Sequence, residues 1–274
     1  DGALIRTDLR SEVFWSTLAN YWKARAAKIG DRGGGSTSHR LDVASLPYKE
    51  EVIAVVQEWR KEGGRTVLVS SSNQALAEHI AHHLGLFDEV HGFTGRKESD
   101  EAGKATFLEG RFGRRGFAYM GGTASDLPAW ELASRAITVD VPNSVKARID
   151  SFQPGAHHLV TARGPLGRGY LRALRPHQWL KNALVFVPMI AGHNLTMEAL
   201  WHSLLAFLAF SLVASSVYVV NDLLDLGADR AHPRKRTRPF ASGSIPITHG
   251  AGLAPLLLIG GLAVAWPLGL NFVL

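Results

Sequence analysis

The chain has 274 residues, with 30 Lys and Arg against 24 Asp and Glu, twelve His and no Cys. The lack of cysteine excludes disulfides and Cys-based metal centres and fits a reducing compartment. Residues 1–160 are balanced, with 20 basic and 20 acidic residues, whereas residues 161–274 hold 10 basic and 4 acidic ones and supply the whole net charge of +6. Those basic residues lie beside apolar runs and are not spread over a polar, aromatic-rich surface. That argues for a membrane surface as partner and against nucleic acid.

Residues 50–63 have a helical pattern that ends at Gly63-Gly64. Thr66–Val69 reads as a short apolar strand running into Ser70-Ser71-Ser72-Asn73. Gln74–Leu84 reads as a helix closed by Gly85. Phe117–Met120 is a second strand ending at Gly121-Gly122, a helix follows from about Leu127, and Ala136–Asp140 is a third strand. Strands alternating with helices predict a Rossmann-like parallel α/β domain. Gly33–Ser36 reads as a loop. His79, His82 and His83 have zinc-compatible spacing but no convincing acid partner, so a surface helix is the expectation. Trp15, Trp22 and Trp59 are expected in the core.

From Pro142 to Arg168 the prolines and glycines predict a linker. Beyond it the character changes. Ala199–Val220 contains no Lys, Arg, Asp or Glu, and Gly250–Leu274 is likewise uncharged apart from any terminal carboxylate. Both are long enough to cross a bilayer. Asn182–Ala191 is apolar but short, so an earlier span would begin among Pro176–Lys181. Arg163, Arg168, Arg172, Arg175 and Lys181 precede that first span, and Arg230, Arg234, Lys235, Arg236 and Arg238 follow the second. The loop near His193–Glu198 has no Lys or Arg. The positive-inside rule then puts both basic ends, and the α/β domain, in the cytoplasm. The plainer reading of 199–220 is a buried core helix of a soluble protein.

At the exit of the second span stand Asp222, Asp225 and Asp229, at i, i+3 and i+7, followed by the cationic burst from Arg230 to Arg238. On a continuous helix the acids would share roughly one face. Clustered acids repel unless a cation sits among them. A divalent metal carrying a diphosphate, gripped by Arg and Lys, is the simplest occupant. The alternatives are a solvated helix end for the acids and a topogenic basic loop for the cations.

Arg175-Pro-His-Gln-Trp-Leu-Lys181-Asn182, Ser215-Ser-Val-Tyr218-Val-Val-Asn221-Asp222-x-x-Asp225-x-x-x-Asp229-Arg230-x-His232-Pro233-x-Lys235-Arg236-x-Arg238-Pro239 and Ala241-Ser-Gly243 together resemble the UbiA superfamily of intramembrane prenyltransferases. Within it they look most like the decaprenyl-phosphate phosphoribosyltransferase branch. The resemblance covers about residues 168–274. It implies an all-α transmembrane bundle, with Asp222, Asp225 and Asp229 binding Mg2+ and Asn221 joining them at the diphosphate. Lys181, Arg230, Lys235, Arg236 and Arg238 are the candidate phosphate contacts. Departure of pyrophosphate from a phosphoribosyl donor requires such charge neutralisation. The family's second Asp-rich motif does not occur in this sequence. The chain also starts without Met and stops inside an apolar run, so the expectation is a fragment without transferase turnover of its own.

The front half resembles a second family. Asp1-Gly2-Ala3-Leu4-Ile5 is similar to the tail of the Asp-x-Asp-Gly-Thr signature of haloacid dehalogenase-like (HAD) phosphatases. That resemblance makes Asp1 the general acid/base and puts the nucleophile two residues earlier. Ser70 then matches the phosphoryl-holding hydroxyl and Lys104 the charge-neutralising lysine. Gly121-Gly122-Thr-Ala-Ser-Asp126 resembles the metal-binding acid motif, with Gly122 in the first acid's place and Asp126 left to hold Mg2+. Strand-end cap, solvated lysine and helix N-cap are the plainer readings of Ser70, Lys104 and Asp126.

The expectation is a cytosolic HAD-like domain over residues 1–145, a linker over 146–167, and the first part of a UbiA-type domain over 168–274 in the cell's inner membrane. It would join a phosphorylated sugar donor to a polyprenyl phosphate, and the phosphatase-like domain could then remove the 5-phosphate. Two alternatives stay open: prenylation of an aromatic or quinone precursor, and a HAD-like domain that only binds or regulates. Prenyl length, acceptor and oligomeric state are not legible.

Overall fold

A computed structural model describes residues 2–29, 41–93, 101–161 and 165–269. Asp1, expected as an acid/base, lies outside the described residues. The chain divides into two compact units, residues 1–13 with 40–162, and residues 14–39 with 163–274. Helix α1 (Leu9–Ile29) gives its first residues to the first unit and the rest, from Phe14, to the second.

The first unit continues with α2 (Glu50–Lys61), β1 (Val67–Ser70), α3 (Gln74–Leu84), β2 (Glu89–Gly92), α4 (Glu101–Phe112), β3 (Ala118–Gly121), α5 (Leu127–Leu132), β4 (Arg135–Val139), α6 (Asn143–Phe152) and β5 (His157–Leu159). All strand pairs are parallel, β1 with β2 and β4 between β3 and β5. Helix α2 carries Glu50 and Glu51 in its first turn and Arg60 and Lys61 in its last, the arrangement its dipole favours. Asn73 caps α3 by accepting from Leu76 N at 2.8 Å, and Gly85 ends it in the left-handed region. One apolar core draws on Ile5, Leu9, Leu46, Val52, Ile80 and Val139, with Leu68 of β1 and Met120 of β3 packed against it. A second cluster surrounds Trp130 and Ile149.

Residues 143–159 of the expected linker are folded into the first unit. Residues 143–152 form α6, and β5 pairs with β4 through Ile137–His157 to Val139–Leu159. Buried Val145 and Ile149 anchor α6, which the proline and glycine count concealed. Trp22 and Trp59 are exposed, against the expectation of core positions, while Trp15 packs on the second unit's core. His79, His82 and His83 are exposed on α3, and His83 stacks on Tyr48.

The second unit comprises α7 (Leu166–Leu174), a 3-10 segment (Pro176–Phe186), α8 (Val187–Ala191), α9 (Met197–Leu224), α10 (Leu226–Ala231) and α11 (Ile247–Ala265). Among the described residues two helices are long and apolar enough to cross a membrane, Met197–Leu224 and Ile247–Leu268. The earlier expected span is a 3-10 run of 11 residues followed by 5 residues of α-helix. At about 2.0 Å and 1.5 Å rise per residue its contour is about 30 Å, close to the hydrocarbon thickness. Side-chain bonds tie it to α9: Trp179 Nε1 donates to Ser215 Oγ at 3.0 Å, and Asn182 Nδ2 to Ser211 Oγ at 3.1 Å.

Helices α9 and α11 pack through small residues. A Cβ on Gly261 would stand 2.7 Å from Val213 Cγ2 and 3.1 Å from Ala209 O, so only glycine allows this approach. Ser216 Oγ donates to Ala254 O at 2.7 Å. Ala173, Val219, Leu223, Phe240, Ile245 and Ile247 form the core beneath the end of α9. Phe210, Val217, Leu256 and Ile259 remain exposed on the outer faces.

Candidate active site

The acids of the second unit are not carried on one continuous helix. Helix α9 stops at Leu224, Asp225 is its C-cap, and α10 begins at Leu226. The break splits the expected trio. Asp222 on α9 and Asp229 on α10 still converge, because Nη1 of Arg238 lies 3.2 Å from Asp222 Oδ1 and 2.6 Å from Asp229 Oδ2. Arg175 Nη2 also donates to Asp222 Oδ1, and Lys235 Nζ stands 3.8 Å from Asp229 Oδ1. The half-buried Asp225 is in none of these pairs among the described residues.

Asp222 and Asp229 are 2 % and 1 % exposed. Burying such carboxylates beside an apolar helix is costly without partners. The partners come from two places: the end of α7, and the 3-10 turn Lys235–Thr237 with the residue after it. Arg175 has φ 52° and ψ 56°, a left-handed conformation that costs a non-glycine residue about 1 kcal/mol or more. The following Pro176 makes it less favourable still. In that conformation its guanidinium lies 5.1 Å from the Tyr218 ring centroid while it pairs with Asp222.

Of the other candidates, Arg230 donates from Nε to Ala241 O at 2.8 Å. Asn221, Lys181 and Arg236 are exposed. Arg175 was not among the expected phosphate contacts: it opened the motif string and stood among the basic residues that set topology, and it lies against Asp222, 47 residues later in the chain.

Among the described residues no group of three or more His, Cys, Asp or Glu could hold a metal. Asp229 Oδ1, however, is buried and accepts no hydrogen bond among the described residues. With Asp222 on the same guanidinium nitrogen, it leaves two carboxylates and one open acceptor facing each other. Such a donor set fits a divalent cation that takes only a few of its oxygens from the protein.

The first unit is different. Asp126 is buried and both its oxygens are used. Oδ1 accepts from Tyr119 OH at 2.8 Å and Lys104 Nζ at 3.2 Å. Oδ2 accepts from Gly122 N at 3.0 Å, Thr123 N at 3.1 Å and Thr123 Oγ1 at 3.0 Å. Five donors saturate a carboxylate's roughly four acceptor positions. Burial pushes the Asp126 carboxyl up, but the Lys104 charge and the Tyr119, Thr123 and Lys104 bonds outweigh it and hold it below the usual range. Burial and the Asp126 charge push Tyr119 well up. Gly122 cannot be replaced by an acid without displacement, since a Cβ there would stand 2.7 Å from Gly2 C and O. These residues do not fit a Mg2+.

Ser70 ends β1, buried, with its Oγ accepting from Ser72 N at 3.1 Å. Lys49, 1 % exposed, was not expected at all. Its Nζ donates to Gly2 O at 2.7 Å and pairs with Asp140 Oδ2 at 3.1 Å. Asp140, at the end of β4, also accepts from Thr161 N and Oγ1 at 2.8 and 2.6 Å. Burial raises its carboxyl, and the Thr161 bonds with Lys49 bring it below the ordinary value.

The fold thus joins a parallel α/β unit to a helical unit with two membrane-span candidates and a buried acid–arginine cluster at the end of one of them. Residues 2–131 match the model of the haloacid dehalogenase-like hydrolases, and residues 183–274 match that of the UbiA prenyltransferase family. Both are enzyme families.

Over its whole length the chain is 32 % identical to a Sinorhizobium fredii protein called uncharacterized protein y4nM and covers 55 % of it. It is 43 % identical over 111 residues, 39 % of this chain and 37 % of the relative, to decaprenyl-phosphate phosphoribosyltransferase of Mycobacterium tuberculosis. It is 46 % identical over 96 residues, 34 % of this chain and 30 % of the relative, to nodulation protein NoeC of Azorhizobium caulinodans. The chain thus spans about half or less of the curated relatives it matches. No solved structure matches it.

Proposed function

We propose that the second unit carries the diphosphate end of a phosphoribosyl-transfer site, acting between phosphoribosyl diphosphate and a polyprenyl phosphate at a membrane. The single observation behind this reading is the Asp222–Arg238–Asp229 bridge with Arg175 and Lys235 around it. A diphosphate needs both a cation-binding acid pair and cationic side chains to be held and to leave. Asp222 and Asp229 would hold Mg2+, which neutralises the leaving diphosphate as a Lewis acid. Arg175, Arg238 and Lys235 orient the phosphates. The buried floor of Val219, Leu223 and Phe240 keeps water from beneath the cluster. The name of the mycobacterial relative, a phosphoribosyltransferase of decaprenyl phosphate, supports the acceptor class and the group transferred.

The two apolar helices and the basic residues flanking them support an integral, multi-pass placement with the cluster and the first unit on the cytoplasmic side. For the first unit a binding or regulatory role is the better reading, because Asp126 is saturated and Gly122 is packed on Gly2.

The test is calorimetric titration of phosphoribosyl diphosphate into the detergent-solubilised chain. Mg2+-dependent binding that Asp229→Asn abolishes is the expected result. Binding of equal strength in Asp229→Asn, or none at any Mg2+ concentration, would sink the assignment.

A further inference from the structure

We infer that Arg175 is a latch: it occupies Asp222 in place of the metal, and an arriving diphosphate draws it off the carboxylate onto phosphate. This rests on the diphosphate reading of the site and adds an order to its loading. The acids lie beneath the cations. The Arg175 and Arg238 side chains are 20 % and 27 % exposed and that of Lys235 is 47 %, against 3 % for Asp222 and 1 % for Asp229. Anything approaching from solvent meets guanidinium and ammonium groups first. Three cations face two carboxylates, so the closed cluster carries a net positive charge and attracts an anion before a metal.

Of the three cations Arg175 is the one built to let go. Its backbone sits in the left-handed region immediately before a proline, at the junction of α7 and the 3-10 segment. Tyr218 offers its guanidinium a ring face at 5.1 Å on which it can remain after leaving Asp222. Arg238, in contrast, holds both acids at once. Loss of Arg175 alone therefore removes one of the two cations on Asp222 Oδ1 without separating the pair. A free divalent cation has to displace Arg175 unaided, whereas a metal–diphosphate complex supplies the guanidinium with a new bidentate partner. Arg175 is thus a positioning residue that makes metal binding conditional on diphosphate.

The experiment uses the full chain in detergent and follows Mn2+ by electron paramagnetic resonance, with and without inorganic pyrophosphate. Only binding lost in Asp229→Asn is counted. The latch predicts weak Mn2+ binding by the unmodified chain alone and strong binding with pyrophosphate. Arg175→Ala should bind Mn2+ alone about tenfold more tightly, because a buried carboxylate that has lost one of its two cations gains from a new one, and pyrophosphate more weakly. Arg175→Lys should fall between, and thermal unfolding of each variant checks that it is folded. A residue of merely structural importance would weaken both ligands together, and that result would overturn the latch. So would Mn2+ binding that is equal with and without pyrophosphate, or unaltered in Arg175→Ala; both leave the diphosphate site standing. If no protein binds Mn2+ with pyrophosphate, the diphosphate reading falls and the latch with it.

Discussion

Arg238 and Asp229 are nine residues apart in the chain and joined by a 2.6 Å contact between Nη1 and Oδ2. The same nitrogen reaches Asp222 at 3.2 Å, so one side chain closes the end of α9 onto the start of α10.

Removing that side chain leaves two buried carboxylates short of a partner. Arg238→Ala should destabilise the second unit by about 3 kcal/mol, seen as a lower midpoint in detergent thermal unfolding. Arg238→Lys should recover only part of this, since an ammonium cannot reproduce the guanidinium's fixed fork. Equal stability of Arg238→Ala and the unmodified chain would mean that the bridge holds nothing together.

Gly122→Asp, which restores the acid expected from the HAD resemblance, should destabilise the first unit by about 1–3 kcal/mol. The new Cβ runs into Gly2 backbone at 2.7 Å. Urea unfolding with and without Mg2+ checks it. A Mg2+-dependent gain in stability would show that the loop can open into a metal site after all.

Asp126 sets a pH dependence. Burial raises its carboxyl, the Lys104 charge and the hydrogen bonds lower it further, and the net is a folded value below the ordinary 3.8. A depressed carboxyl contributes stability fully above its unfolded value and loses that contribution as pH falls through the folded one. The first unit should therefore weaken from about pH 4 downward. Asp126→Asn should be less stable at pH 7 and flatter over that acid range in urea titrations. Parallel profiles would remove Asp126 as the cause.

The outward face of α9 should tolerate no charge if it meets lipid. Phe210 is exposed near the middle of this 28-residue helix. Phe210→Arg should reduce insertion by about 3 kcal/mol, and the chain should shift from the carbonate-resistant membrane fraction to the soluble or aggregated one. Unchanged membrane retention would favour a helix that packs in protein.

Much of this architecture was readable from residue order. The periods of 50–61 and 74–84, the apolar strand into Ser70 and the uncharged runs each carry a local signal. Strands Glu89–Gly92 and His157–Leu159 did not, because neither contains an apolar run. The first is held by Gln74, whose Oε1 accepts from Gly92 N at 2.6 Å and whose Nε2 donates to Val90 O at 3.0 Å. The second adds to the sheet only because β4 is already there. The 3-10 segment was likewise hidden, since its hydrogen bonds to Ser211 and Ser215 come from another helix.

The sequence by itself determined the two-part organisation, the parallel α/β character of the first unit, the two long apolar helices and the string of acids and cations after Tyr218. These depend on composition, period and spacing, which are local properties of the chain. Only the tertiary structure decided which acids meet and which cations cover them. Asp225 falls out where α9 breaks, Arg175 comes in from 47 residues away, and Lys49 reaches Gly2 and Asp140 across the first unit. Charge pairing in a buried place depends on distance through space and on the exclusion of water, and neither is written in the order of the residues.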